Sequence, residues 1–368
     1  MKSSPILRRL MILIQTMTLA ALLGACSSTM QQVGMAPAPA PETPMVAETV
    51  GTGQLVIGVL SFAEPVNRSG GAADATALAA KLAAQSITKH PVSVVIRPQS
   101  DGVARDAEAF QAANVRLTIG GSDPRAIAGL AKAMAPRKVP TIALASLSDT
   151  GSLLYGAGLA PREEAAALVG EAKRLGYAKV GIVFGSDPDS ASFGTAVADI
   201  AAAQGIAVIR IDVLNPETFQ AGLAAALAAG KVDALVFAID PQRAAGLIAG
   251  SAPAAMAGIA IVGNAGWTLA EPLPAAVRSS WYPSLPRAGI TAFATRFRAA
   301  YNATPTLASA VIYDLVVMAA VLDQVAGAEA FSAGTLQSDL GFTGFTGPFT
   351  FGALGLVQSR SYEIVAGR

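Results

Sequence analysis

From residue 54 onward, short runs of branched apolar residues alternate with longer, Ala-rich stretches of mixed polarity. Gln54-Leu55-Val56-Ile57-Gly58-Val59-Leu60-Ser61 has the length and branching of a strand buried on both faces. The pattern then predicts a helix from Ala72 to Lys89, a strand from Val92 to Arg97 and a helix from Val103 to Ala113. Val115 to Ile119 reads as a strand running into Gly120-Gly121-Ser122-Asp123. Pro124 to Ala135 predicts a helix, with Asp123 at the N-cap position and proline just inside. Thr141 to Ala145 completes a βαβαβαβ series, the signature of a parallel sheet covered on both faces.

A second series begins near Pro161. Helices are predicted at Arg162 to Leu175, Ser192 to Gln204, Pro216 to Ala229 and Pro241 to Gly250. Strands are predicted at Lys179 to Phe184, Ala207 to Val213, Val232 to Ile239, Gly258 to Val262 and Val277 to Tyr282. Pro161, Pro216 and Pro241 each stand near a helix start. Two such units in one chain imply an α/β protein of two Rossmann-like lobes, each with a parallel sheet, and a hinged cleft between them. The tail differs: helices at Ile290 to Tyr301 and Leu307 to Val325, then a Gly-rich turn and a terminal hairpin from Phe342 to Val365.

The N-terminus reads as an address. Lys2, Arg8 and Arg9 precede a mainly apolar stretch from Leu10 to Leu23 and the small-residue run Gly24-Ala25. Leu23-Gly24-Ala25-Cys26 resembles a bacterial lipobox, in which the cysteine is acylated and becomes the first residue. Residues 1–25 are thus expected to be a signal peptide, with a membrane anchor on Cys26 and the rest facing the periplasm. Ser27 after the cysteine is compatible with the outer membrane in a Gram-negative cell. The Ala36-Pro37-Ala38-Pro39-Ala40-Pro41 run makes residues 26–53 an extended linker.

Composition narrows the picture. Hydrophobic residues make up 52% of the 368 residues and charged ones 14%, with a mean hydropathy of +0.49. Alanine carries much of that score, and the apolar stretch Leu307 to Leu322 contains Ser309, Tyr313 and Asp314. A large Ala-rich core is the expectation, not a multispan membrane protein. The balance of 26 basic against 25 acidic residues leaves no excess to neutralise phosphates, so no nucleic-acid partner is expected. One cysteine and one histidine exclude an intrachain disulfide, and a zinc site would need ligands that the chain mostly lacks. His90, before a strand, reads as a surface residue at a helix end. Glu163-Glu164 opens a helix, and Asp187-Pro188-Asp189 reads as a loop and cap. No nucleophile–base pair or phosphate loop is present, so neither an enzyme nor a cofactor is expected.

Several weak motifs stand in a telling order: Ile57-Gly58-Val59-Leu60, Thr118-Ile119-Gly120-Gly121-Ser122, Val139-Pro140-Thr141-Ile142-Ala143, Lys179-Val180-Gly181-Ile182-Val183 and Phe345-Thr346-Gly347-Pro348-Phe349-Thr350-Phe351. Together they resemble the type I periplasmic-binding-protein fold, in the leucine/isoleucine/valine-receptor branch. With the lipobox and spacer, the chain is also similar to penicillin-binding-protein activators, lipoproteins that stimulate a peptidoglycan synthase. The resemblance implies three crossings between lobes and a cleft at the carboxyl ends of the strands. The expected lobes are 54–157 with 284–340, and 158–283 with 341–368.

The resemblance also nominates ligand contacts. Ser122 matches the serine that binds the ligand carboxylate in the amino-acid receptors, with Asp123 and the following amides beside it; capping alone also explains both residues. Ser146 and Ser148 fall near the family's second contact. Phe193-Gly194 stands where the receptors carry Tyr-Gly. Asn264, in Gly263-Asn264-Ala265-Gly266-Trp267, stands where they carry the acid that pairs with the ammonium. Asp240 is either a substitute acid or a helix cap, and Trp267 either stacks on a ligand or packs its lobe. This incomplete amino-acid clamp favours an activator with a peptidoglycan-synthase partner. The alternative is the solute receptor of an ABC importer for branched-chain amino acids or related small amides and acids.

Overall fold

A computed structural model of the chain describes residues 48–62, 74–99, 102–145, 147, 150–151, 153–159, 161–358 and 360–367. Cys26, Ser146 and Ser148 lie outside the described residues.

The first lobe is built on β1 (Glu48–Val50), β2 (Leu55–Ser61), β3 (Val92–Pro98), β4 (Leu117–Gly120), β5 (Thr141–Ala143) and β6 (Leu154–Gly156). These lie in the order β1-β3-β2-β4-β5-β6, with β1 antiparallel and the others parallel. Ile57 on β2 faces Val94 on one side and Leu117 on the other, so these central strands meet through apolar residues there. Helices α1 (Ala75–Ser86), α2 (Val103–Ala112) and α3 (Pro124–Met134) connect the strands.

The second lobe runs through α4 (Pro161–Arg174), β7 (Lys179–Phe184), α5 (Pro188–Ala203), β8 (Ala207–Asp212), α6 (Pro216–Ala228), β9 (Ala234–Phe237), α7 (Pro241–Ala249), β10 (Ala260–Val262) and β11 (Trp281–Ser284). The chain then returns through α8 (Arg287–Tyr301) and α9 (Leu307–Ala326). It ends in β12 (Phe342–Gly344), β13 (Gly347–Phe351), β14 (Val357–Gln358) and β15 (Glu363–Ala366). The second sheet has the order β15-β11-β10-β9-β7-β8, parallel except for β15.

A two-residue signal starts four of the helices. Asp123-Pro124, Asp187-Pro188, Asn215-Pro216 and Asp240-Pro241 each place a capping side chain before a proline whose missing N–H costs nothing there. Asp187 accepts from the Ser190 amide at 2.8 Å, so α5 starts earlier than the pattern indicated.

The helix α9 is long and apolar enough to cross a bilayer. Its Ala310, Val311, Ile312, Leu315, Val316 and Ala319 are instead buried in the first lobe's core, alongside Ala79, Ala80 and Ala83 of α1. Alanines on α1 let the two helix axes approach closely.

Four expectations change. Residues 48–50, read as the end of the linker, pair with β3 as an edge strand. The strand β6 went unread, because its three residues are too short for a periodicity. The strand expected at Val277 to Tyr282 starts at Trp281, after a turn of 3₁₀ helix at Ala275–Val277. The segment 341–368 divides: Phe349 and Phe351 enter the first lobe's core, whereas β15 joins the second sheet.

Candidate ligand-binding cleft

The lobes meet at the carboxyl edges of their sheets. Among the described residues, the chain passes between them after β6, after β11 and before β15. The first two passages leave the carboxyl ends of parallel strands. The third arrives at the same edge, because β15 is antiparallel and pairs Glu363 with Ser284. Gly156 also bridges to Leu356, which lays the first and third passages side by side. Arg287 fastens the second passage: its guanidinium grips both oxygens of Glu271 at 2.5 and 2.6 Å, and its amide donates to Glu363 at 2.7 Å.

On the first lobe, Ser122 and Asp123 stand at the end of β4, exposed. Asp123 caps α3 by accepting from the Arg125 amide at 2.9 Å. The amides of Ser122 and Asp123 donate to the side-chain oxygen of Gln99, at 2.7 and 3.4 Å. Gln99 therefore sits where a ligand carboxylate was expected. Its place after β3, 23 residues before Ser122 and two strands from β4 in the sheet, gave no local signal of this.

On the second lobe, the nominated side chains serve the lobe itself. Phe193 is buried in a core with Phe184 and Val197. Asp240 caps α7, accepting from the Arg243 amide at 2.9 Å. Asn264 caps the turn after β10, accepting from the Gly266 amide at 3.0 Å and donating to the Ile239 carbonyl at 3.3 Å. Trp267 is fully buried, donates through Nε1 to the same carbonyl at 2.9 Å, and packs between Phe237 and Tyr282. Its ring is part of the lobe core.

A cluster that the sequence did not single out occupies the lobe junction. Glu164, in the first turn of α4, is buried and accepts from the Ala265 amide at 2.7 Å. Burial lifts its carboxyl from the ordinary 4.5 to about 7, against the pull of that amide. Glu163 beside it is also raised by desolvation, which the charge of Arg360 opposes. Asp314 of α9 is buried and raised for the same reason, despite accepting from the Phe345 and Thr346 amides and the Thr346 hydroxyl at 2.9, 2.8 and 2.7 Å. Tyr362 is pushed up by burial and then by the charge of Glu164. Glu163-Glu164 was legible as a helix start, but nothing local to either residue announced burial.

Residues 54–362 match the family described as periplasmic binding protein. The chain belongs to that family. Its members are extracytoplasmic and typically bind ligands without transforming them. No curated protein matches the chain. Among solved structures, it is similar to an ABC transporter substrate-binding protein from Desulfitobacterium hafniense in complex with Leu. That match has 17% identity, 84% of this chain and 96% of that one, and a TM-score of 0.61. A leucine-binding protein from Thermotoga maritima shares 18% identity over 84% and 94% of the two chains, with a TM-score of 0.60. A solute-binding protein of an ABC transporter from R. palustris, in complex with benzoate, shares 18% over 86% and 94%, with a TM-score of 0.61. At these identities the likeness shows the fold: the periplasmic-binding-protein fold in two lobes.

Proposed function

We propose that this periplasmic binding protein is the solute receptor of an importer, closing its two lobes around a small organic molecule. The observation that carries this reading is the placing of all the described lobe-to-lobe passages at the carboxyl edges of both sheets. A few residues at those passages then set the angle between two otherwise rigid bodies. The named structural relatives are importer receptors, which supports transport over stimulation of a peptidoglycan synthase. The lipobox at Cys26 fits a receptor tethered by acyl chains, with the Pro-rich spacer giving it reach to an importer's membrane subunits.

Calorimetry across amino acids, amides and organic acids tests the reading when paired with small-angle scattering. The expected result is at least one solute that binds and reduces the radius of gyration. Silence across the panel, together with recovery of a cell-wall synthase in a pull-down from envelope extracts, would overturn it in favour of the activator.

A further inference from the structure

The lobe junction holds a charged side chain whose bonding is unfinished. Arg360 lies between β14 and β15 on the third passage and is only 7% exposed. Its Nη1 donates to the Gly158 carbonyl of the first passage at 3.5 Å, and its guanidinium stands 5.5 Å from the Phe349 ring centroid. Among the described residues, Nε and Nη2 meet no acceptor. These two N–H groups form one edge of the planar guanidinium and point the same way, the arrangement that takes both oxygens of a carboxylate. Tyr362, two residues on, buries a hydroxyl that is likewise unpartnered. Leaving such donors unpaired in the interior is costly, and an acceptor that reached them would relieve that cost.

The surrounding charges shape what that occupant is. Asp314 spends both its oxygens on Phe345 and Thr346, and Glu164 accepts from Ala265. Glu163 faces the guanidinium from the first turn of α4 and acts on it through space. Ahead of α3, Gln99 already takes the Ser122 and Asp123 amides. Asn264, bonded to the Gly266 amide and the Ile239 carbonyl, offers no carboxylate to an ammonium. Among the described residues of this junction, the unspent pair of charged donors is at Arg360.

We propose that the Nε–Nη2 edge of Arg360 anchors the carboxylate of a small organic acid held at the junction end of the cleft, with the Tyr362 hydroxyl as a further donor. This rests on the receptor reading and names its substrate class: acids recognised without an α-ammonium clamp. Bound there, the acid touches the third passage directly, which couples its arrival to lobe closure.

Calorimetry with matched pairs tests the assignment on the purified protein: benzoate against benzamide, and 4-methylpentanoate against 4-methylpentanamide, with leucine as the ammonium-bearing acid. An acid is expected to bind at least about 30-fold tighter than its amide, the scale of losing a charge-assisted bidentate pair. Arg360→Met should weaken the acid by about the same factor and leave any amide binding unchanged. Arg360→Lys, which keeps the charge but not the edge, should weaken it about tenfold. Thermal unfolding checks that each variant folds; if Arg360→Met does not, Arg360→Lys and the acid–amide ratio decide. Equal binding of acids and amides, or wild-type acid affinity in a folded Arg360 variant, overturns the proposal while the receptor reading stands. Solute binding that ignores Arg360 does the same. No binding by any solute overturns both.

Discussion

At Glu164, burial opposes ionisation, and the consequence for stability has a definite sign. The folded carboxyl holds its proton to about pH 7, whereas the unfolded one releases it near 4.5. Between those values the folded chain binds more protons, so stability falls as pH rises across the window and levels off above it. Glu164→Gln keeps an acceptor for Ala265 and removes the charge. It is expected to gain roughly 2–4 kcal/mol over the parent near pH 8 and little near pH 4.5, read by urea unfolding at both values. Gly344 makes a second case. A Cβ there would stand 2.2 Å from the Asp314 carboxyl carbon. Gly344→Ala should therefore push Asp314 off the amides of Phe345 and Thr346 and cost about 1–3 kcal/mol in the same assay.

Among the elements, the contact between α1 and α9 depends on small residues. Ala79, Ala80 and Ala83 are fully buried in the core that α9 shares. Ala83→Leu adds three heavy atoms where no space remains and should cost about 1–3 kcal/mol, seen as a lower denaturation midpoint with an unchanged slope. The capping box of α6, in which Asn215 and Thr218 bond each other's backbone, gives a milder test. Asn215→Ala is expected to cost about 1 kcal/mol. These elements were legible because their signals are local: an apolar period, a cap and a proline within a few residues. The parallel strands of the two sheets could be read for the same reason. The three-residue strand β6 carries too few residues for a period, and β1 is recognisable only by its partner β3. The site was less legible still. Ser122 and Asp123 were visible as a strand end and cap, but Gln99 reaches them from another strand. Trp267 and Phe193 carry no mark that separates a core ring from a ligand-facing one. Arg360 is an ordinary surface residue by type, and its burial is a property of passages far apart in sequence.

For the whole molecule, ligand binding and proton binding are coupled if the acid sits at Arg360. A carboxylate placed there adds negative charge beside Glu163 and Asp314, whose proton affinities burial has already raised. Binding should then take up protons, and affinity should rise as pH falls from neutral into the acid range. Calorimetry in buffers of different ionisation enthalpy measures the uptake; an affinity flat across that range would show that neither carboxylate feels the ligand.

The placing of the last strands has a consequence for how the chain is made and moved. Phe349 and Phe351 complete the first lobe's core, and β15 closes an edge of the second sheet. Each lobe draws on a segment near the C-terminal end of the folded region. A ribosome-bound or half-exported chain that lacks residues beyond 340 has neither lobe finished. Contacts this distant in sequence form slowly, so the nascent chain stays loose until nearly all of it has emerged. A polypeptide that must thread a narrow translocation channel gains from that delay: its topology holds folding back until the crossing is almost over.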